Sequence, residues 1–99
     1  MKIDFAAQLL DANDAVVLED EKPAKIITLL KRAVLADYTP QGQPIPADDK
    51  YKRFELYLKL KSADNETDFT LDEIALLDNA VLVFPTLISG QLHYLLTKK

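Results

Sequence analysis

Residues 69–96 read FTLDEIALLDNAVLVFPTLISGQLHYLL, and this run decides how the rest of the chain must be arranged. Thr70 and Glu73 have capping-box spacing, in which the hydroxyl accepts from one backbone N–H while the carboxylate reaches back to another. Phe69 and Ile74 supply a hydrophobic staple across the same turn. Asp72 and Glu73 place negative charge at the positive end of the helix dipole, worth about 0.3 to 1 kcal/mol each. The spacing predicts a helix over 70–84 whose first face carries Leu71, Ile74, Leu77, Val81 and Phe84. Leu76, Ala80 and Val83 leave little polar surface elsewhere, so this helix is expected to be the innermost element, wrapped on every side. Pro85 either starts a new helix or kinks this one, because its ring clashes with a carbonyl one turn back. Beyond it Ile88, Leu92, Leu95 and Leu96 share a stripe, with Lys98 and Lys99 suited to the carboxyl end of the dipole. Gly90 interrupts that stripe at a cost of about 1 kcal/mol relative to alanine, which points to close approach of another backbone or to a bend.

Working outward, residues 50–62 (KYKRFELYLKLKS) fit two periodicities. As a helix, Tyr51, Phe54 and Leu58 line up with Tyr57 beside them; as a strand, Phe54, Leu56, Leu58 and Leu60 alternate with polar neighbours. Segment length and the preceding Asp48-Asp49 favour helix. Residues 38–49 hold three of the five prolines and one of the two glycines, so no helix runs through them. That segment is an ordered loop or a mobile connector. Over 24–37, Ile27, Leu30 and Val34 make a stripe flanked by Ile26, Leu29 and Ala33, while Lys25, Lys31 and Arg32 face away. Pro23, preceded by Glu19, Asp20 and Glu21, suits the first turn of that helix. Residues 2–10 alternate about Ile3 and Phe5, and 15–18 (AVVL) are β-prone. The intervening DAND, residues 11–14, has turn chemistry, giving a predicted hairpin that must lie against helices.

The expected fold is therefore α+β: a single domain, 1–99, in which a short amino-terminal hairpin within 1–22 packs on three or four helices drawn from 23–99. A chain of 99 residues buries roughly 65% of its extended surface, enough for one core without metal or disulfide. Zero cysteines exclude disulfides, thiolate metal sites and a cysteine nucleophile. The net charge of −4 argues against sequence-independent binding to phosphate backbones. No apolar run reaches the roughly 20 residues of a membrane span, and MKIDF does not open a signal peptide.

The chemistry-bearing residues are sparse. Asp64, Glu66 and Asp68 alternate as in a calcium loop, but Phe69 stands where that loop needs glycine and Ala75 where it needs a bidentate glutamate. A solvated acidic loop is the better reading. His93 has no second imidazole with which to share a metal, and the two serines, Ser62 and Ser89, occur outside any nucleophile-elbow context. Gly42 and Gly90 alone cannot build a phosphate-cradling loop. No catalytic, metal or cofactor site is expected, and an enzyme is disfavoured. The one basic and aromatic concentration is Lys50, Lys52, Arg53, Lys59 and Lys61 with Tyr51, Phe54 and Tyr57 among them. Its basic members do not converge on one stripe, so a solvated amphipathic helix outweighs nucleic-acid binding.

Three pieces in order, MKIDFAAQLLD, KYKRFELYLKLK, and TLDEIALLDNAV followed by FPTLISGQLHYLL, resemble a family of small proteins of temperate tailed bacteriophages and prophages. The most specific features are Lys52-Arg53 with Glu55-Leu56, the Glu73-Ile74-Ala75-Leu76 run, and Pro85 followed by Gly90-Gln91. Related chains often carry glycine in the first turn, where this one has Asn13-Asp14. The resemblance implies a phage or prophage origin and a bacterial cytoplasm, and brings no enzymatic activity or cofactor. Together these readings point to a non-enzymatic protein that binds a phage or host protein, in assembly or in host manipulation, without a membrane. The expected contacts are Tyr51, Phe54 and Tyr57, with Lys50, Arg53 and the Pro-rich loop beside them, because aromatic residues are favoured interface anchors. Nucleic-acid binding through 50–61 is the alternative. A homo-oligomer is a further way to hide the apolar surface.

Overall fold

The computed structural model describes residues 1–97; Lys98 and Lys99, and with them the expected charge complement of the last helix, lie outside the described residues. The architecture is α+β: a two-stranded antiparallel hairpin, β1 (Leu18–Glu19) and β2 (Lys22–Pro23), then α1 (Ile26–Val34), α2 (Ala47–Lys61), α3 (Leu71–Ala80) with a 3-10 turn at Val81–Val83, and α4 (Thr86–Thr97). One contiguous core joins all four helices and the amino-terminal segment.

The hairpin sits later than the alternation predicts. DAND does turn the chain: the Asp11 carboxylate accepts from the N–H groups of Asn13 (2.8 Å) and Ala15 (3.1 Å), and Asp14 is left-handed at φ 61°. The expected ladder between 2–10 and 15–18, however, shrinks to the bridge Leu10–Val16 and the bond from Val17 N–H to the Leu9 carbonyl, 2.8 Å. Residues 1–10 find other partners. Met1 and Phe69 exchange backbone bonds of 2.7 and 2.8 Å, and the Gln91 side-chain amide bonds both the N–H and the carbonyl of Leu10, each at 2.8 Å. A side-chain amide on α4 thus replaces a neighbouring strand. Asp20 and Glu21, at φ 50° and 67°, form the tight turn between β1 and β2, which places Pro23 in a strand and not in the first helical turn.

The capping box is present: Glu73 N–H donates to Thr70 Oγ1 at 3.1 Å, and Thr70 N–H donates to Glu73 Oε1 at 2.8 Å. Phe84 is extended at ψ 160°, as a residue before proline prefers, and Pro85 opens α4, its carbonyl accepting from Ser89 N–H at 2.9 Å. Residues 50–61 are helical, within α2. The Pro-rich segment is a folded loop: Tyr38 bridges Pro44, Thr39 N–H donates to the Gln43 carbonyl (2.7 Å), and Gly42 supplies the φ of 83° that the turn requires.

The expectation that 70–84 is innermost is corrected. Only Ile74, Leu77 and Ala80 of α3 are buried; Leu71 is 73% exposed, and Ala75 and Leu82 also face solvent. The centre is α1, which buries Ile26, Leu29, Leu30, Ala33 and Val34 and touches α2, α3 and the 3-10 turn. A nearly all-apolar composition does not enclose a helix when neighbours cover one side only. Gly90 likewise meets no neighbour: a Cβ built there finds nothing within 4 Å. Close approach is therefore not its reason, and Gly90→Ala is expected to stabilise the protein by about 1 kcal/mol through helix propensity and a less disordered unfolded chain. Thermal denaturation followed by circular dichroism checks this as a rise of several degrees.

Candidate interaction site

The way α2 is rotated decides which residues are available to a partner. Its buried face is Arg53, Leu56 and Leu60, at i, i+3 and i+7. Tyr51, Phe54 and Leu58 share the opposite spacing and stand out at 72%, 52% and 47% exposure. Apolar side chains at this helical spacing form a continuous strip. Tyr57, at its edge, is half-buried against the core, with its ring centroid 6.0 Å from that of Phe54 and Lys61 Nζ 5.8 Å from its own.

Beside the strip lies a cleft of about 350 Å³ between α2 and the carboxyl end of α1, walled by Val34, Leu35, Phe54 and Tyr51 and carrying Lys50, Arg53 and Asp37. A broader depression adjoins it past Leu35 and Asp37, reaching Tyr57, Val83 and Phe84. Lys50, Tyr51 and Phe54 are thus brought together at one surface. Arg53 is not on that surface in the manner expected: it is 6% exposed, and its Nε has no hydrogen-bond partner among the described residues. The helix carries Arg53 inward because its register aligns with Leu56 and Leu60.

The remaining basic residues are not equivalent. Lys59 is drawn into the fold, donating to Glu73 Oε1 (2.8 Å) and the Asp68 carbonyl (2.7 Å) and lying 4.7 Å from the Phe69 ring centroid. Burial raises the Glu73 carboxyl, but the Lys59 ammonium and the Thr70 N–H outweigh it and hold it below its ordinary value. Asp68 is lowered chiefly by its hydrogen bond and attraction to the amino-terminal ammonium. Lys50, Lys52 and Lys61 alone of the five remain exposed.

Elsewhere, the carboxylates of the acidic loop are taken up by its own backbone and by the amino-terminal segment. Asp64 accepts from Glu66 N–H (2.9 Å), and Glu66 pairs with Lys2 (3.1 Å). His93 is an exposed helix-edge residue whose Nδ1 lies 2.7 Å from Asp78. Among the described residues no three His, Asp or Glu side chains cluster as metal ligands, and no helix is long and apolar enough to cross a membrane.

Leu35, Asp37 and Leu58 belong to this surface and were not among the expected contacts. Leu58 was legible, since it continues the spacing of Tyr51 and Phe54. Leu35 and Asp37 were not, because only the packing of α1 on α2 brings them near residues distant in sequence. The chain matches no protein-family model, and comparison with curated proteins and with solved structures finds none similar.

Proposed function

We propose that this chain is a small non-enzymatic binding protein of a phage or prophage, working in the bacterial cytoplasm and docking a phage or host protein through the outer face of α2. The observation that carries the docking role is the exposed strip Tyr51, Phe54 and Leu58 beside the α1–α2 cleft. Large aromatic side chains held by a rigid helix cost little ordering on association and are the residue types that dominate interface energies. The phage origin rests on the sequence resemblance. Nucleic-acid binding has weaker support, because Arg53 is turned into the fold, Lys59 is paired with Glu73, and the net charge of −4 repels phosphate.

The test is affinity capture from lysogenic or infected cells with the full chain as bait, followed by titration of the captured protein. Tyr51→Ala and Phe54→Ala, with the native circular dichroism spectrum retained, are each expected to weaken binding by about 2 kcal/mol, roughly thirtyfold. Leu71→Ala with Leu82→Ala serves as the contrast. Capture lost on that pair and kept on the aromatic variants would move the docking surface to α3.

A further inference from the structure

Among the described residues, Arg53 is the one side chain with a buried polar atom that has no hydrogen-bond partner. Its neighbours on the buried face, Leu56 and Leu60, are aliphatic, and its Nε is enclosed without an acceptor. An arginine that only lends its stem to packing leaves the guanidinium in water, whereas Arg53 is 6% exposed as a whole. Asp37 lines the same cleft but is not within ion-pairing distance of it, nor is any other carboxylate among the described residues. An enclosed Nε–H without an acceptor, on a guanidinium with no counter-charge in reach, is unfavourable, and an anion entering from the cleft relieves the defect.

We propose that the α1–α2 cleft is a receptor for a carboxylate on a partner polypeptide, an Asp or Glu side chain with an apolar residue next to it, the carboxylate accepting from Arg53 and Lys50. This deepens the docking role proposed above and rests on it. The cleft, about 350 Å³, lies at the low end of ligand-site volumes, suited to one or two side chains. The flat guanidinium fork matches a carboxylate, and Val34, Leu35 and Phe54 supply an apolar wall for the neighbouring side chain. Asp37 on the rim disfavours a doubly charged phosphate, while the positive charges of Lys50 and Arg53 leave room for a single negative one.

The experiment is a titration of the full, nitrogen-15-labelled chain with the blocked peptide acetyl-Leu-Asp-Leu-amide, read at the Arg53 Nε–Hε resonance. The expected result is a saturable shift, with at least about tenfold weaker binding of acetyl-Leu-Asn-Leu-amide. Arg53→Met, followed at the backbone amides of Leu35 and Phe54 on the cleft wall, is expected to lose the saturable shift those amides show in the wild type while holding or raising the melting temperature, since it fills the site without a charge. Equal response to both peptides, no response, or a stronger response to inorganic phosphate would each overturn the carboxylate assignment. A resonance that moves with protein concentration alone would seat a second copy's carboxylate there and overturn the partner. A melting temperature sharply lowered in Arg53→Met would make Arg53 a structural residue. If the peptide fails while Tyr51→Ala and Phe54→Ala still abolish capture, docking stands and the carboxylate falls.

Discussion

Leu30→Ala is expected to destabilise the protein by about 2 to 5 kcal/mol, whereas Leu71→Ala changes stability by less than about 0.5 kcal/mol. Both remove the same atoms from a helical leucine. Leu30 is fully buried at the middle of α1, the helix that packs on both α2 and α3, so the space left by truncation cannot fully collapse. Leu71 stands on the first turn of α3, 73% exposed, and loses little by truncation. A domain of this size has a total stability of order 5 to 15 kcal/mol, so the first change takes a large share of it. Denaturant titration of the two variants separates the cases. A Leu71 effect equal to that of Leu30 would mean that α3, and not α1, is the central helix.

Glu73→Ala is the second large effect, expected at about 2 kcal/mol. The single carboxylate completes the capping box with Thr70 and receives Lys59, so its loss leaves a backbone N–H without its acceptor and an ammonium with only the Asp68 carbonyl and the Phe69 ring. Glu73→Gln keeps the cap and loses only the charge, and is expected to cost less than half as much. The acid limb follows from the same contacts. Because the folded state holds Glu73 below its ordinary value of 4.5, the contribution is fully present above that pH and is lost as pH falls through the folded value. Asp68, lowered from 3.8, acts in the same direction at lower pH. Denaturation midpoints measured from pH 6 downward should fall in the wild type below about pH 4.5, with a shallower fall in Glu73→Gln.

Local signals were legible where a few adjacent residues suffice to make them. Thr70 with Glu73, the Asp11 turn and Pro85 each act on their own backbone, and all three are found where the sequence places them. The amino-terminal ladder was not, because alternation at Ile3 and Phe5 reports only that one side is buried. It does not report that the backbone's partners are Phe69 and a glutamine on α4. Of the interaction surface, Tyr51 and Phe54 could be chosen from residue type and spacing. The inward turn of Arg53 could not, since periodicity gave Tyr51, Phe54 and Leu58 as the apolar stripe of this helix, and only the structure aligns Arg53 inward with Leu56 and Leu60.

The amino-acid sequence by itself determined the helices, the capping box of α3 and the α+β class, because hydrogen bonding within one turn and a few neighbouring residues set them. Which helix lies at the centre, which face of α2 meets solvent, and that a charged side chain is enclosed without a counter-ion were decided only by tertiary packing. Burial depends on what stands on the far side of each residue, and those neighbours come from parts of the chain that local pattern does not connect.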